Sequence, residues 1–180
     1  MDSINKKILI VTEGESDAQL LRELLPENKL KDFSILPADG FSSALSKVKS
    51  LLIQNKGPIL FLLDSDTTDK DRIEEKKEFV DTYINSKYYN GLLKTIWAIP
   101  EFEIIFFDKK NLMEDQLNKT ISDDVWELAK ISPKNTLERI FNLNHNSLVS
   151  LLENNQLLKN SLKESKIIKE ILDFSEYASV

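Results

Sequence analysis

One run of five residues narrows the fold more than any other part of the chain. Ile59-Leu60-Phe61-Leu62-Leu63 is apolar at every position. A strand with one wet face would alternate apolar and polar residues, so an unbroken run predicts a strand covered on both sides. Only an inner strand of a sheet with helices on both faces is covered in that way. Gly57-Pro58 punctuates the run on one side and Asp64-Ser65-Asp66 on the other.

The neighbouring segments fit the same architecture. Ile8–Thr12 reads as a short buried strand, and Ala18–Leu25 as a helix with a stripe of Leu20, Leu21, Leu24 and Leu25 closed by Pro26. Ser16 and Gln19 have the spacing of a capping box, which puts the helix start at Ser16. Phe33–Pro37 is a second, weaker strand. After Asp39-Gly40, Leu45, Val48, Leu51 and Leu52 recur at helical spacing to about Asn55. Asp71–Asn85 is a charged helix carrying Ile73, Phe79, Val80, Tyr83 and Ile84. Leu93–Ile99 is a fourth strand ended by Pro100. Strands alternating with helices predict an α/β fold with a mostly parallel four-stranded sheet, right-handed crossovers and flanking helices. From about Asn111 the signal is helical throughout. Short helices are expected at Ser122–Ile131, Pro133–Asn142, Ser147–Leu158 and Ser161–Phe174. The expected organisation is a domain over residues 1–110 and an α-helical extension over 111–180 packed on it.

The residue inventory limits the chemistry. The 180 residues contain no cysteine and one histidine, so thiolate metal sites, disulfides and cysteine nucleophiles are excluded. Carboxylates, lysines and hydroxyls remain, and carboxylate oxygens are hard ligands suited to Mg²⁺ or Mn²⁺. No apolar run approaches the ~18 residues of a membrane helix. Met1–Lys7 leads straight into the first strand, so no signal peptide and a cytoplasmic location are expected. The net charge of −6 argues against a surface that grips nucleic acid all over, while leaving room for a local basic stripe.

In parallel sheets, ligands bind beyond the carboxyl ends of the strands. Glu13, Asp64 and Asp66 follow strands one and three there, and Glu101 and Glu103 follow strand four. Acids from distant parts of the chain are therefore expected on one rim. Carboxylates gathered in this way repel one another and hold their protons more tightly unless a cation sits among them.

The residues Glu13-Gly14-Glu15-Ser16-Asp17 after strand one, Gly40 at the start of the next helix, Asp64-Ser65-Asp66 after strand three and Pro100-Glu101-Phe102-Glu103 form a pattern. Over about residues 6–108 it resembles the TOPRIM domain of topoisomerases, primases and nucleases, and most closely the OLD-family-type and stand-alone bacterial TOPRIM proteins. The resemblance implies a TOPRIM-like fold and a metal-dependent nuclease cleaving DNA or RNA with one or two Mg²⁺ or Mn²⁺ ions. It implies Glu13 as metal ligand or general base, Asp64 and Asp66 as ligands, Asp17 as a ligand or as a group orienting one, and Glu103 with Glu101 around a second ion. Gly14 and Gly40 would leave the backbone open to a phosphate, Gly14 by turning tightly. The implied partners are a nucleic-acid substrate and a separate ATPase subunit, as in a repair or phage-defence system, with homo-oligomers compatible and no membrane. No basic residue is matched: Lys70, Arg72 and Lys109 are near the acids only along the chain. Tyr83, Tyr88, Tyr89 and Tyr177 carry no mark of a topoisomerase tyrosine.

Plainer roles stand beside these. Asp17 also suits the positive end of a helix dipole, Glu15 solvated surface, and Asp69 and Asp71 a helix start. Pro100–Glu103 also reads as a helix start. His145 reads as a loop residue, Lys159–Lys169 as a solvated face, and Trp97 and Trp126 as core. The alternative function is a catalytically inactive TOPRIM-like binding or regulatory subunit. A phosphohydrolase with Asp64 as nucleophile is a third reading, disfavoured because two βα units precede the Asp-x-Asp.

Overall fold

The structure, a computed structural model, describes residues 7–89 and 91–178. The expected direct entry of residues 1–6 into the first strand lies outside the described residues, as does the side chain of Tyr177.

Four strands form one sheet: β1 (Ile8–Thr12), β2 (Phe33–Pro37), β3 (Ile59–Asp64) and β4 (Leu93–Ala98). Their order is β2-β1-β3-β4. Every pairing is parallel, with Ile10 opposite Ile35 and Leu60, and Leu62 opposite Ile96. The expected mostly parallel sheet is thus parallel throughout. β3 is buried from Ile59 to Leu63 because it has a strand on each edge and helices over both faces.

Right-handed crossovers decide which helix covers which face. The chain leaves β1 toward β2 on one side and later returns past β1 to β3 on the other. The first connection carries α1 (Glu15–Leu24) and the short α2 (Glu27–Leu30); the later ones carry α3 (Phe41–Ile53) and α4 (Lys70–Ile84). Under α3 and α4 lies one apolar layer containing Val11, Leu45, Val48, Phe61, Leu63 and Val80. The other face, with Ile10, Leu60, Leu62 and Ile96, packs on Leu20, Leu21 and Leu24 of α1.

That second layer continues into the C-terminal helices: α5 (Lys110–Leu117), α6 (Asp123–Ile131), α7 (Pro133–Asn135), α8 (His145–Asn154), α9 (Gln156–Leu162) and α10 (Lys166–Ala178). Trp126, Leu152, Leu162 and Ile171 belong to the same buried cluster as the sheet. Trp126 meets Phe107 edge-on at 5.4 Å, so it is core as expected; Trp97 is half-buried. Among the described residues no helix is long and apolar enough to cross a membrane.

Several local expectations change. Helix α1 starts at Glu15 with Gly14 as its N-cap and no side-chain cap, so Ser16 lies inside the first turn. The capping box fails because Gln19 is turned elsewhere, its Oε1 2.7 Å from His145 Nε2. His145 is itself the first residue of α8 rather than a loop residue. The expected helix Pro133–Asn142 is the short α7 followed by a π-helical turn at Thr136–Ile140. The expected Ser147–Leu158 is broken at Asn155, whose side chain caps α9, and the last helix starts at Lys166 rather than Ser161. Lys159 is no solvated residue: it pairs with Glu23 of α1 at 2.9 Å with both side chains mostly covered. On α4 the five apolar positions part company. Ile73, Val80 and Ile84 are buried, whereas Phe79 and Tyr83 remain 53% and 37% exposed.

If the helical segment and the sheet share one cooperative core, truncations in either must cost alike. Leu60→Ala in β3 and Leu152→Ala in α8 are each expected to lower stability by about 2–5 kcal/mol. Denaturant unfolding followed by circular dichroism should keep a single transition in both variants. A second transition appearing only in Leu152→Ala would contradict a shared core.

Candidate metal centre

The strand order places a gap at one edge of the sheet. Chain connections leave β1 and β3 in opposite directions, so no crossover helix covers the space beyond their carboxyl ends. Glu13 follows β1 and Asp64 ends β3. Across this gap the Asp64 peptide N–H donates to Glu13 Oε1 at 3.0 Å. The bond ties the two halves of the sequence pattern together.

The adjoining loop is held from below. Ser65 is buried; its N–H donates to Ala98 O at 2.9 Å and its hydroxyl to Thr67 O at 2.7 Å. The Asp66 N–H donates to Pro100 O at 2.9 Å, next to the cis Ile99-Pro100 peptide. Asp66 has φ +58, a left-handed conformation that aspartate tolerates better than most residues. Its side chain is thereby exposed at the rim.

On the other side, Asp17 lies in the first turn of α1. Glu103 lies in a 3₁₀ helix, Phe102–Phe107, and is only 5% exposed. It shares a small pocket with Lys134 and His145, which the C-terminal helices bring over the rim. Glu101 Oε2 accepts from the Lys134 N–H at 3.1 Å, so this acid fastens the start of α7 to the rim. Asp69 caps α4 by accepting from the Asp71 and Arg72 N–H groups, and Asp71 lies in its first turn, as expected of helix-start acids. Glu15 is exposed and paired with Arg22.

The two glycines differ. Gly40 has φ +82, which excludes most side chains on backbone grounds, and a Cβ there would meet open space. Its N–H donates to Glu13 O at 2.9 Å, so it stands beside the gap. Gly14 is extended (φ −144, ψ 169), and a Cβ would make only ordinary contact with Asp17 at 3.8 Å. The chain does bend at Glu13–Gly14, but in a conformation that does not require glycine.

Electrostatics couples the acids more closely than hydrogen bonds do. Burial first, and then the charges of Asp17, Glu103, Glu13 and Asp66, push the Asp64 carboxyl up to about 9. Burial, with Asp17 and Glu101 adding and Lys134 opposing, pushes Glu103 up to about 7. Glu13 and Asp17 are also raised, chiefly by burial. The Asp64 N–H and Lys76 moderate the rise at Glu13, and the Gly14 backbone moderates it at Asp17.

Lys76 is the residue that sequence reasoning missed. From α4 its ammonium donates to Asp64 O at 2.7 Å and to Asp66 Oδ2 at 2.6 Å. It is mostly covered, whereas Asp66 is open to solvent. Helical phase relative to the buried Ile73 and Val80 was the available signal, since it points Lys76 toward the strand ends.

Comparison of the chain with protein-family models, curated proteins and solved structures finds no match. The site is therefore judged on its own donors. Their chemistry suits a hard divalent cation: all are carboxylate oxygens, and they raise one another's proton affinity as acids lacking a counter-charge do. Asp64 would hold such an ion first, with Glu13, Asp17, Asp66 and Glu103 in electrostatic reach. Among the described residues no three acidic or histidine side chains are already gathered at ligating distance.

The raised carboxyls fix the sign of the pH dependence. The folded metal-free protein keeps protons that the unfolded chain releases, from the ordinary carboxylate range up to about 7 at Glu103 and about 9 at Asp64. Stability from these groups is therefore greatest at low pH and falls as pH rises through that window. Asp64→Asn is expected to melt higher than the parent at ~pH 8, by at least ~2–4 °C for a gain of about 1 kcal/mol, and to match it near pH 4. A variant that melts lower at every pH would make Asp64 a structural acid instead.

Proposed function

We propose that the chain is a metal-dependent phosphodiesterase of TOPRIM type that cleaves nucleic acid at the β1/β3 gap. The observation that carries this reading is the Glu13–Asp64 bond, with Asp17, Asp66 and Glu103 near enough to perturb Asp64. Few structural purposes are served by four further acids around one already buried, and unscreened acids cost stability.

A divalent cation, when bound, supplies the counter-charge and polarises a phosphate oxygen. The chain's own groups account for the rest. Glu13 is oriented by the Asp64 N–H, and its raised proton affinity suits removal of a proton from the attacking water. The water oxygen attacks phosphorus, and the leaving alkoxide departs on the opposite side. Lys76 stands beside Asp66 with a charge to offer the phosphate as negative charge builds there. Gly40 leaves open space on the approach.

A binding or regulatory subunit remains the second reading. It is favoured by the Lys76–Asp66 pair, which already neutralises one acid, and by the absence of a ready-made cage among the described residues.

Mn²⁺ is expected to raise the melting temperature of the parent by several degrees, and ~100 Kd of ion corresponds to about 2.7 kcal/mol. The rise should disappear in Asp64→Ala and shrink in Glu13→Gln. Strand cleavage on gels with Mn²⁺ should fall at least about a hundredfold in Glu13→Gln and Asp64→Asn. A metal-induced shift without cleavage of any DNA or RNA form would favour the regulatory subunit; no shift at all would remove the metal site.

A further inference from the structure

Beside the acidic rim, α3 and α4 enclose an open groove of about 560 Å³. One end is the Ser65–Thr67 loop; its walls include Phe41, Phe79, Arg72 and Lys76. Phe41, Phe79 and Tyr83 form a row, with neighbouring ring centres 6.3 and 6.2 Å apart and neighbouring planes tilted by 34° and 27°. Phe79 is half exposed and Tyr83 about a third exposed, on a helix whose other exposed positions are mostly charged. Two lysines lie on the same row: Lys76 Nζ is 4.7 Å from the centre of the Phe41 ring and Lys49 Nζ 4.5 Å from that of Tyr83.

We propose that this face is a stacking platform for single-stranded nucleic acid, leading the strand toward the rim. Flat aromatic rings with cations along the same row match nucleobases and the phosphates joining them. In a duplex the base faces are already stacked on one another, so only an unpaired strand can use such a row. The charges lining the groove balance, Arg72 and Lys76 against Asp66 and Glu75, and Lys49 adds a further cation along the row. The platform is continuous with the proposed cleavage site through Ser65 and Asp66; its purpose, though not its binding, rests on the nuclease reading.

The test is fluorescence anisotropy of the full chain with a labelled oligo(dT) of twelve nucleotides, in Ca²⁺ and again in EDTA, against a duplex of equal length. The single strand should bind more tightly than the duplex in both buffers. Phe79→Ala should weaken binding about tenfold and Phe79→Tyr should retain it. Arg72→Ala should flatten the logarithmic salt slope by about 0.7. Phe79 is half exposed, so unchanged melting temperatures should show both variants folded. The platform is overturned if oligo(dT) does not bind, if the duplex binds more tightly, or if Phe79→Ala binds within twofold of the parent. It is also overturned if Phe79→Ala instead dissolves a dimer seen by sedimentation, which would make the row a contact between copies. Binding through Phe79 without Mn²⁺-dependent cleavage keeps the platform and removes the nuclease. Cleavage with binding indifferent to Phe79 does the reverse.

Discussion

β1 and β3 pair in parallel at the centre of the sheet, and the chain departs from them in opposite directions. Much else follows from that arrangement. Their connections must cover opposite faces, which divides the core into one layer under α3 and α4 and another under α1. The gap beyond their carboxyl ends is left without a crossover helix. Into it the chain places Glu13 and the Asp64 backbone, and joins them at 3.0 Å. A shift of one residue in the β1–β3 register would move that N–H by about 3.3 Å and turn the side chains of one strand to the wrong face. The apolar continuity of Ile59–Leu63, with a layer on each side, therefore also sets the position of the first acids.

Strand positions were legible because burial on both faces leaves an unmistakable trace. Ile8–Thr12 and Phe33–Pro37 fall where expected, and Ile59–Leu63 extends by one residue to Asp64. Helix limits in the second half were less legible. Asn, Ser and Lys there serve equally as surface, cap or break, and only tertiary packing decides; Asn155 ends one helix and caps the next. The acids on the rim could be named from strand ends alone. Their neighbours could not. Lys76 sits in the run Glu74-Glu75-Lys76-Lys77-Glu78, where charge alone singles out no position. Lys134 reaches Glu101 over a separation in sequence that no local pattern records.

The C-terminal helices have two roles in this arrangement. Leu152, Leu162 and Ile171 complete the apolar layer over one face of the sheet. The same segment covers Glu103 and brings Lys134 toward Asp17 and Glu103, whose proton affinities it lowers. Lys76 moderates Glu13 from the opposite side of the sheet, through α4. The acids are thus bracketed by one lysine from each helical layer, and neither lysine meets the whole cluster.

That incomplete compensation sets these acids apart from the paired acids of the surface. Acids selected for stability would each acquire a cation and fall below their ordinary range, as Asp123 does beside Lys110 and Glu164 beside Lys169 on the surface. At the gap the shift has the opposite sign: Asp64 and Glu103, the most perturbed, rise, and burial leads the causes at both. The fold keeps these carboxyls poorly hydrated and only partly neutralised, with Lys76 and Lys134 as the cations that act on them. A site in that condition gains most from an added positive charge, whether an ion or a cationic partner group. The opening at Gly40 and the groove beside Asp66 provide the approach.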